Sequence, residues 1–188
     1  SALVEEIRLS EEEKDLERIR SNAYILFEHT YTAALAHLAM ADGWGNKNRV
    51  MGVSSIILSV IAGSSLLSNY EGHELFTGLL SILISIIVAI TTLLNPGKRK
   101  QEHFNAGANY LVLKNEVLLF YQVESMMEGK NDVELLSELS KLSKTRDELD
   151  KKSPRIPKYR FKKGTKDSQA EIKRTVIQSL TIHARTPS

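Results

Sequence analysis

VMGVSSIILSVIAGSSLLSN, residues 50–69, and LFTGLLSILISIIVAITTLL, residues 75–94, decide how this chain folds. No Asp, Glu, Lys or Arg stands between Arg49 and Glu71, and none between Glu74 and Lys98. As helices rising about 1.5 Å per residue, each block reaches about 30 Å, the thickness of a bilayer's hydrocarbon core. The two blocks predict a membrane-spanning helical hairpin.

The second block is the stronger. Leu75, Phe76, Leu79, Leu80, Ile82, Leu83, Ile84, Ile86, Ile87, Val88, Ile90, Leu93 and Leu94 each favour insertion by about 0.3 to 0.6 kcal/mol. The first is diluted by Gly52, Gly63 and the serines at 54, 55, 59, 64, 65 and 68, so it is expected to enter paired with the second. The alternative is a soluble protein that hides both helices, which requires its other helices to cover every side of them.

Charge placement sets the topology. The connecting loop Tyr70, Glu71, Gly72, His73, Glu74 has no Lys or Arg, whereas Lys47, Arg49, Lys98, Arg99 and Lys100 flank the other ends. The positive-inside rule then puts both termini in the cytoplasm. Asn95-Pro96-Gly97 ends the second helix, since proline cannot continue it and glycine supplies turn geometry. Trp44 suits a membrane interface, and equally suits packing against a cytosolic helix.

Global composition alone points elsewhere. With 26% charged residues in 188 and a mean hydropathy of −0.20, the chain reads as one soluble domain, because the polar remainder outweighs a short hairpin. A formal net charge of +2 gives no bias toward polyanions, and the lack of cysteine excludes disulfides, thiol nucleophiles and thiolate metal sites. Ser1 through Glu6 is acidic and lacks the basic start and short apolar core of a secretory signal.

Outward from the hairpin, 10–41 is helical in pattern. Ser10 with Glu13 makes a capping box, and Leu16, Ile19, Ala23, Leu26, Thr30, Ala34 and His37 recur at helical steps, widened by Phe27, Tyr31, Leu35 and Leu38. Asp42-Gly43-Trp44-Gly45-Asn46 is expected to break this helix before the membrane. Beyond the hairpin, 98–128 reads as a long helix with Phe104, Gly107, Ala108, Leu111, Asn115, Leu118 and Gln122 on one face and Tyr110, Leu113, Val117, Phe120 and Tyr121 beside it. A turn at 129–132 leads to a helix capped by Asn131 or Asp132 and bearing Val133, Leu136, Leu139, Leu142 and Leu149.

From Lys151 to Gly164 the helical pattern stops at Ser153-Pro154 and Pro157 while Lys151, Lys152, Arg155, Lys158, Arg160, Lys162 and Lys163 gather with no acidic residue. An extended basic linker is expected. It could bind anionic lipid headgroups, contact a polyanion through Tyr159 and Phe161, or simply be solvated with Ile156 and Tyr159 docked on the bundle. Ile172, Val176, Ile177 and Leu180 then suggest a short amphipathic helix. The fold class is an all-α membrane protein: an N-terminal cytosolic helix in 1–48, the transmembrane hairpin in 49–97, cytosolic helices in 98–150, and a basic linker with a short C-terminal helix in 151–188, the flanking helices forming a cytosolic bundle.

No constellation for catalysis emerges: there is no P-loop, HExxH, dinucleotide loop or nucleophile elbow, and no cofactor or metal is called for. His29 and His37 lie roughly 80° apart around a helix, poor geometry for sharing a metal, and each reads as a satisfied core or interfacial histidine. His73 beside Glu71 and Glu74 reads as a loop residue able to titrate near neutrality. The polar groups inside the spans stand out instead. Thr77, Ser81, Ser85, Val88 and Thr92 share one flank of the second span; Gly52, Ser55, Ser59, Ala62 and Gly63 form a small-residue face on the first, opposite Ser54, Ser64, Ser65 and Ser68. Such faces serve ordinary close helix packing, or one closes the hairpin while another joins subunits or lines a wet path. Since a lone hairpin cannot enclose a pore, a channel would have to be oligomeric.

The order of parts, together with His103-Phe104-Asn105-Ala106-Gly107-Ala108-Asn109-Tyr110-Leu111-Val112-Leu113 and Glu116 beyond, resembles the SLATT domain, a two-transmembrane effector module of bacterial nucleotide-signalling and anti-phage conflict systems. The resemblance covers roughly 15–157. It implies a prokaryotic, membrane-perturbing or pore-forming effector of abortive infection, seated in the inner membrane and triggered by a partner such as a sensor protein encoded nearby; no sensing domain is recognisable within the chain, and the family supplies no active site. The expected function is a non-enzymatic, homo-oligomeric effector whose partners are the lipid bilayer and its own copies rather than nucleic acid. The alternatives are a membrane-anchored scaffold recruiting cytosolic partners and a small transporter subunit, the latter disfavoured by the absence of charge within either span.

Overall fold

A computed structural model of the chain describes residues 2–66, 73–122, 132–161, 165–166, 169 and 172–173, the side chains of 2–12, 65, 66 and 73 excepted. Four α-helices follow one another: α1 (Ala2–Leu66), α2 (His73–Leu94), α3 (Pro96–Gln122) and α4 (Asp132–Lys152). Among the described residues there is no strand. The chain divides into two compact units, one of Ser1–Ala39 with His103–Ser188 and one of Met40–Glu102, so that the divisions fall inside α1 and α3.

The first unit is a helical bundle. Ile19, Ala23, Leu26, Phe27 and Tyr31 of α1 pack with Leu113, Val117 and Phe120 of α3, Leu135 and Leu139 of α4, and Ile172. The α1 stripe read from the sequence is the buried one, through Thr30, Ala34 and His37. Thr30 is accommodated in this apolar layer because its hydroxyl donates to the Leu26 carbonyl at 2.7 Å. Where α3 crosses α1, a β-carbon on Gly107 would stand 2.9 Å from the Leu38 side chain and 3.2 Å from the Ala34 carbonyl oxygen. Glycine here permits the close approach of two helices.

The core faces of α3 and α4 match the expected residues in part. On α3 Gly107, Tyr110, Leu113, Val117 and Phe120 are buried together with Pro96, His103 and Ala106, while Phe104 and Asn115 face out. On α4 Leu139 is buried and Leu142 and Leu149 pack against the core as expected, joined by Leu135, while Val133 and Leu136 are exposed. Both helices carry apolar residues on more than one face, so periodicity alone left the orientation open. Contacts with α1 decide it.

The second unit holds the apolar segments. α1 runs unbroken through Asp42-Gly43-Trp44-Gly45-Asn46, correcting the expected break, and it starts at Ala2, so Ser10 lies inside it and is not its cap. A glycine weakens a helix by about 1 kcal/mol and does not block its hydrogen bonds as proline does. Gly45 also makes room for the Lys100 side chain, whose Cδ lies 3.2 Å from where a β-carbon would sit.

The link between α2 and α3 is a single residue. Asn95 donates its N–H to the Thr91 carbonyl at 2.9 Å, closing α2, and its own carbonyl accepts from Arg99 N–H at 3.1 Å, opening α3. Its φ of 40° is left-handed, a conformation asparagine tolerates, and its Oδ1 accepts from Lys98 N–H at 3.2 Å in the manner of an N-cap. Pro96, the first residue of α3, needs no hydrogen bond there. The Asn-Pro-Gly signal thus stops one helix and starts the next.

Among the described residues one helical stretch, within Glu74–Gln122, is long and apolar enough to cross a membrane. In α1 the uncharged run that begins at Val50 continues to the end of the helix at Leu66; 67–72, including the loop residues Tyr70, Glu71 and Gly72, lies outside the described residues, as does the turn at 129–131. Among the described residues of the expected extended linker, 154–157 lack regular structure, whereas Lys151 and Lys152 finish α4 and 158–161 form a helical turn.

Candidate functional site

The apolar segments turn their large side chains outward. From α2, Leu75, Phe76, Leu79, Ile82, Leu83, Ile86, Val88, Ile90 and Leu93 are exposed, and from α1 Val50, Val53, Ile56, Ile57, Val60 and Ile61. Only 11% of the apolar window in Glu74–Gln122 is buried. Burying one such side chain is worth about 1.5–3 kcal/mol, so a continuous surface of them marks a membrane or a partner. The alternative in which surrounding helices cover both segments is not what the described residues show: among them, Ala62, Thr77 and Leu80 are the buried positions of the two segments.

Seven hydroxyls of this unit, those of Ser55, Ser59, Ser64, Ser81, Ser85, Thr91 and Thr92, bond to carbonyls of their own helices. Ser55 donates to Met51 O at 2.9 Å and Ser59 to Ser55 O at 2.8 Å. On α2, Ser81 donates to Thr77 O at 2.9 Å, Ser85 to Ser81 O and Thr92 to Val88 O, both at 2.8 Å. Such back-bonding lets a hydroxyl enter an apolar medium without an orphaned donor. Of the flank read from the sequence, Thr77 is buried, while Ser81, Ser85 and Thr92 face out; Gly52 and Gly63 are exposed, with nothing within 4 Å of a β-carbon at either. Thr77 and Ala62 therefore lie inside the unit, Ser54 and Ser55 are half-buried, and Gly52, Ser59, Gly63, Ser81, Ser85 and Thr92 lie open.

The other unit carries a polar chain, buried at His37, His103 and Tyr110 and open at Asp150, that sequence reasoning did not assemble. His37 of α1 and His103 of α3 are both buried, with their Nδ1 atoms 3.0 Å apart, and Tyr110 stacks on His37 at 5.4 Å between ring centroids. The Tyr110 hydroxyl donates to Asp150 of α4, and Asp150 also pairs with Arg146 at 3.2 Å. Burial, reinforced by the His103 ring, lowers the His37 pKa to about 4, against a weaker opposing pull from Asp150. Burial and the bond to Asp150 push the Tyr110 phenol well up. The signal available was His37 on the apolar stripe; its partner lies 66 positions away. His29, by contrast, is exposed, correcting its assignment to the core.

Among the described residues no group of three or more His, Asp or Glu is placed to hold a metal ion. Of the basic segment, Lys151, Lys152, Arg155 and Lys158 are exposed, Lys152 reaches Glu148 at 3.4 Å, and Arg160 lies 5.7 Å over Tyr159; Lys162 and Lys163 lie outside the described residues. Tyr159 is itself exposed, so the expected docking of its ring on the bundle does not occur. Compared with protein-family models, curated proteins and solved structures, the chain matches none.

Proposed function

We propose that the chain is a non-enzymatic membrane effector whose segments 50–69 and 75–94 form a two-span hairpin in a bacterial inner membrane, with both termini cytoplasmic. Copies assemble through the open small-residue and hydroxyl faces and, on activation by a partner, permeabilise the membrane. The observation that carries this reading is the outward-facing apolar surface of α2 and the 50–61 part of α1, which lipid solvates at no cost. The self-bonded hydroxyls fit the same medium. The SLATT-like layout supports the effector role, with anti-phage abortive infection as its setting.

Inducible expression with a membrane-potential dye tests it. Strong induction, or induction with the neighbouring gene products, should depolarise cells, and the effector reading fails if potential holds under both conditions. A membrane-anchored scaffold is the second reading, favoured by the exposed Val112 and Leu119 of α3 and Val133 and Leu136 of α4. In that case an unrelated two-span anchor in place of 50–94 should preserve activity.

A further inference from the structure

Beside the start of the first apolar segment lies an open apolar cleft of about 220 Å³, lined by Trp44, Asn46, Lys47, Val50, Met51, Leu94 and Pro96. That volume is below the ~300 Å³ at which enclosed small-molecule sites begin, and its apolar walls suit a length of hydrocarbon chain. No acidic side chain lines it. Cations converge at its rim from two parts of the chain: Lys47 Nζ stands 4.4 Å from the Trp44 ring centroid and Arg99 Cζ 5.2 Å, while the Lys100 stem lies across Gly45.

Arg99 is held in place rather than free. Its Nε donates to the Leu94 carbonyl at 3.0 Å, using one of the carbonyls that α2 leaves open at its end. Like charges brought to one indole repel each other unless an anion joins them. A phosphate here would meet an ammonium and a guanidinium with donors to spare, directly above the apolar walls.

We infer that this cleft is a binding site for an anionic glycerophospholipid: the phosphate contacts Lys47 and Arg99, with Lys100 at its edge, and one acyl chain lies along Val50, Met51, Leu94 and Pro96. The inference rests on the membrane reading above, and it sets the first span's depth by fixing Trp44 at headgroup level. A soluble phosphate compound would leave the apolar walls unused. The basic residues of 151–163 belong to the other unit and are not part of this site.

Trp44 is the only tryptophan of the chain, so its fluorescence reports on the site alone. The full chain is reconstituted in phosphatidylcholine bilayers in which one tenth, roughly, of the lipid carries bromine near the headgroup end of its acyl chains, either as phosphatidylglycerol or as phosphatidylcholine. Each engaged cation enriches the anionic lipid about fivefold, so brominated phosphatidylglycerol should quench Trp44 several-fold more than brominated phosphatidylcholine. In a Lys47→Gln, Arg99→Gln variant the two lipids should quench alike, with quenching by brominated phosphatidylcholine kept as the sign that the variant still inserts. Lys141→Gln, in the other unit, should keep the parent's preference. Equal quenching by both lipids in the parent overturns the site while leaving the membrane reading standing. No quenching by either overturns both.

Discussion

The Nδ1 atoms of His37 and His103 face each other at 3.0 Å, a hydrogen bond that ties α1 to α3 across 66 positions of sequence. One nitrogen must carry the shared proton and the other must be bare, so the pair holds at most one positive charge. Tyr110, stacked on His37, carries the contact on to Asp150 of α4. Three helices of one unit thus meet through polar groups that cannot be rearranged singly.

Acid should weaken this unit. The His37 pKa falls from 6.5 in the unfolded chain to about 4 in the fold, so between those values the unfolded state binds more protons. Stability is complete above pH 6.5 and declines as pH falls toward 4, by about 2 kcal/mol at pH 5. Urea unfolding of the detergent-solubilised chain, followed by circular dichroism at pH 7.5 and pH 5, should show this loss, and His37→Asn should reduce it. Parallel pH profiles for parent and variant would contradict the role given to His37.

Tyr110→Phe should destabilise by about 1–2 kcal/mol, since it removes the donor to a carboxylate without opening a cavity. Asp150→Ala should cost a similar amount and also release Arg146. A double-mutant cycle between the two should give a coupling of at least ~1 kcal/mol; additive effects would show that the hydroxyl contact carries no energy.

The glycines divide cleanly. Gly107→Ala places a methyl against Leu38 and the Ala34 carbonyl, and overpacking of this kind costs about 1–3 kcal/mol, more than the ~1 kcal/mol alanine returns in helix propensity. Leu38→Ala should restore part of the loss. A β-carbon at Gly52 or Gly63 meets nothing within 4 Å, so with Gly52→Leu or Gly63→Leu the thermal stability of the monomer in detergent should hold while assembly of copies is lost. Retained assembly would mean that these faces contact lipid.

The bundle stripe of α1 was legible because 3.6-residue periodicity survives wherever one face is buried and the other is solvated. α2 was legible because an uncharged apolar run of this length suits one helix and is far too long for one strand. The continuity of α1 through Gly43 and Gly45 was not, since local breaker signals lose to tertiary contacts such as that of Lys100 with Gly45. Nor was the His37–His103 pair, because no local pattern marks two residues that meet only after α1 and α3 pack. Leu135 escaped for a related reason: α4 presents Val133 and Leu136 on a neighbouring face, and which leucine turns inward is chosen by its partners.

Replacing Ser81 and Ser85 by Leu should leave insertion intact or improved, because both hydroxyls bond only to their own helix and the change makes the span more apolar. Depolarisation by the expressed protein should fall, since leucines block close approach of copies; the same pair changed to Ala should retain it if packing is what matters, and lose it if the hydroxyls line a wet path. Undiminished depolarisation by an inserted, assembled double-Leu variant would assign this flank to lipid.

The proposed hairpin is tested most directly by its sidedness. The chain has no cysteine, so single cysteines at Gly72, between the apolar segments, and at Gly97, after the second, each give one reactive site. With an impermeant maleimide on intact cells from which any outer membrane has been removed, we expect Gly72→Cys to label and Gly97→Cys to label only after lysis. Protection of both sites until lysis, labelling of both, or labelling of Gly97→Cys alone would contradict a two-span hairpin with cytoplasmic termini.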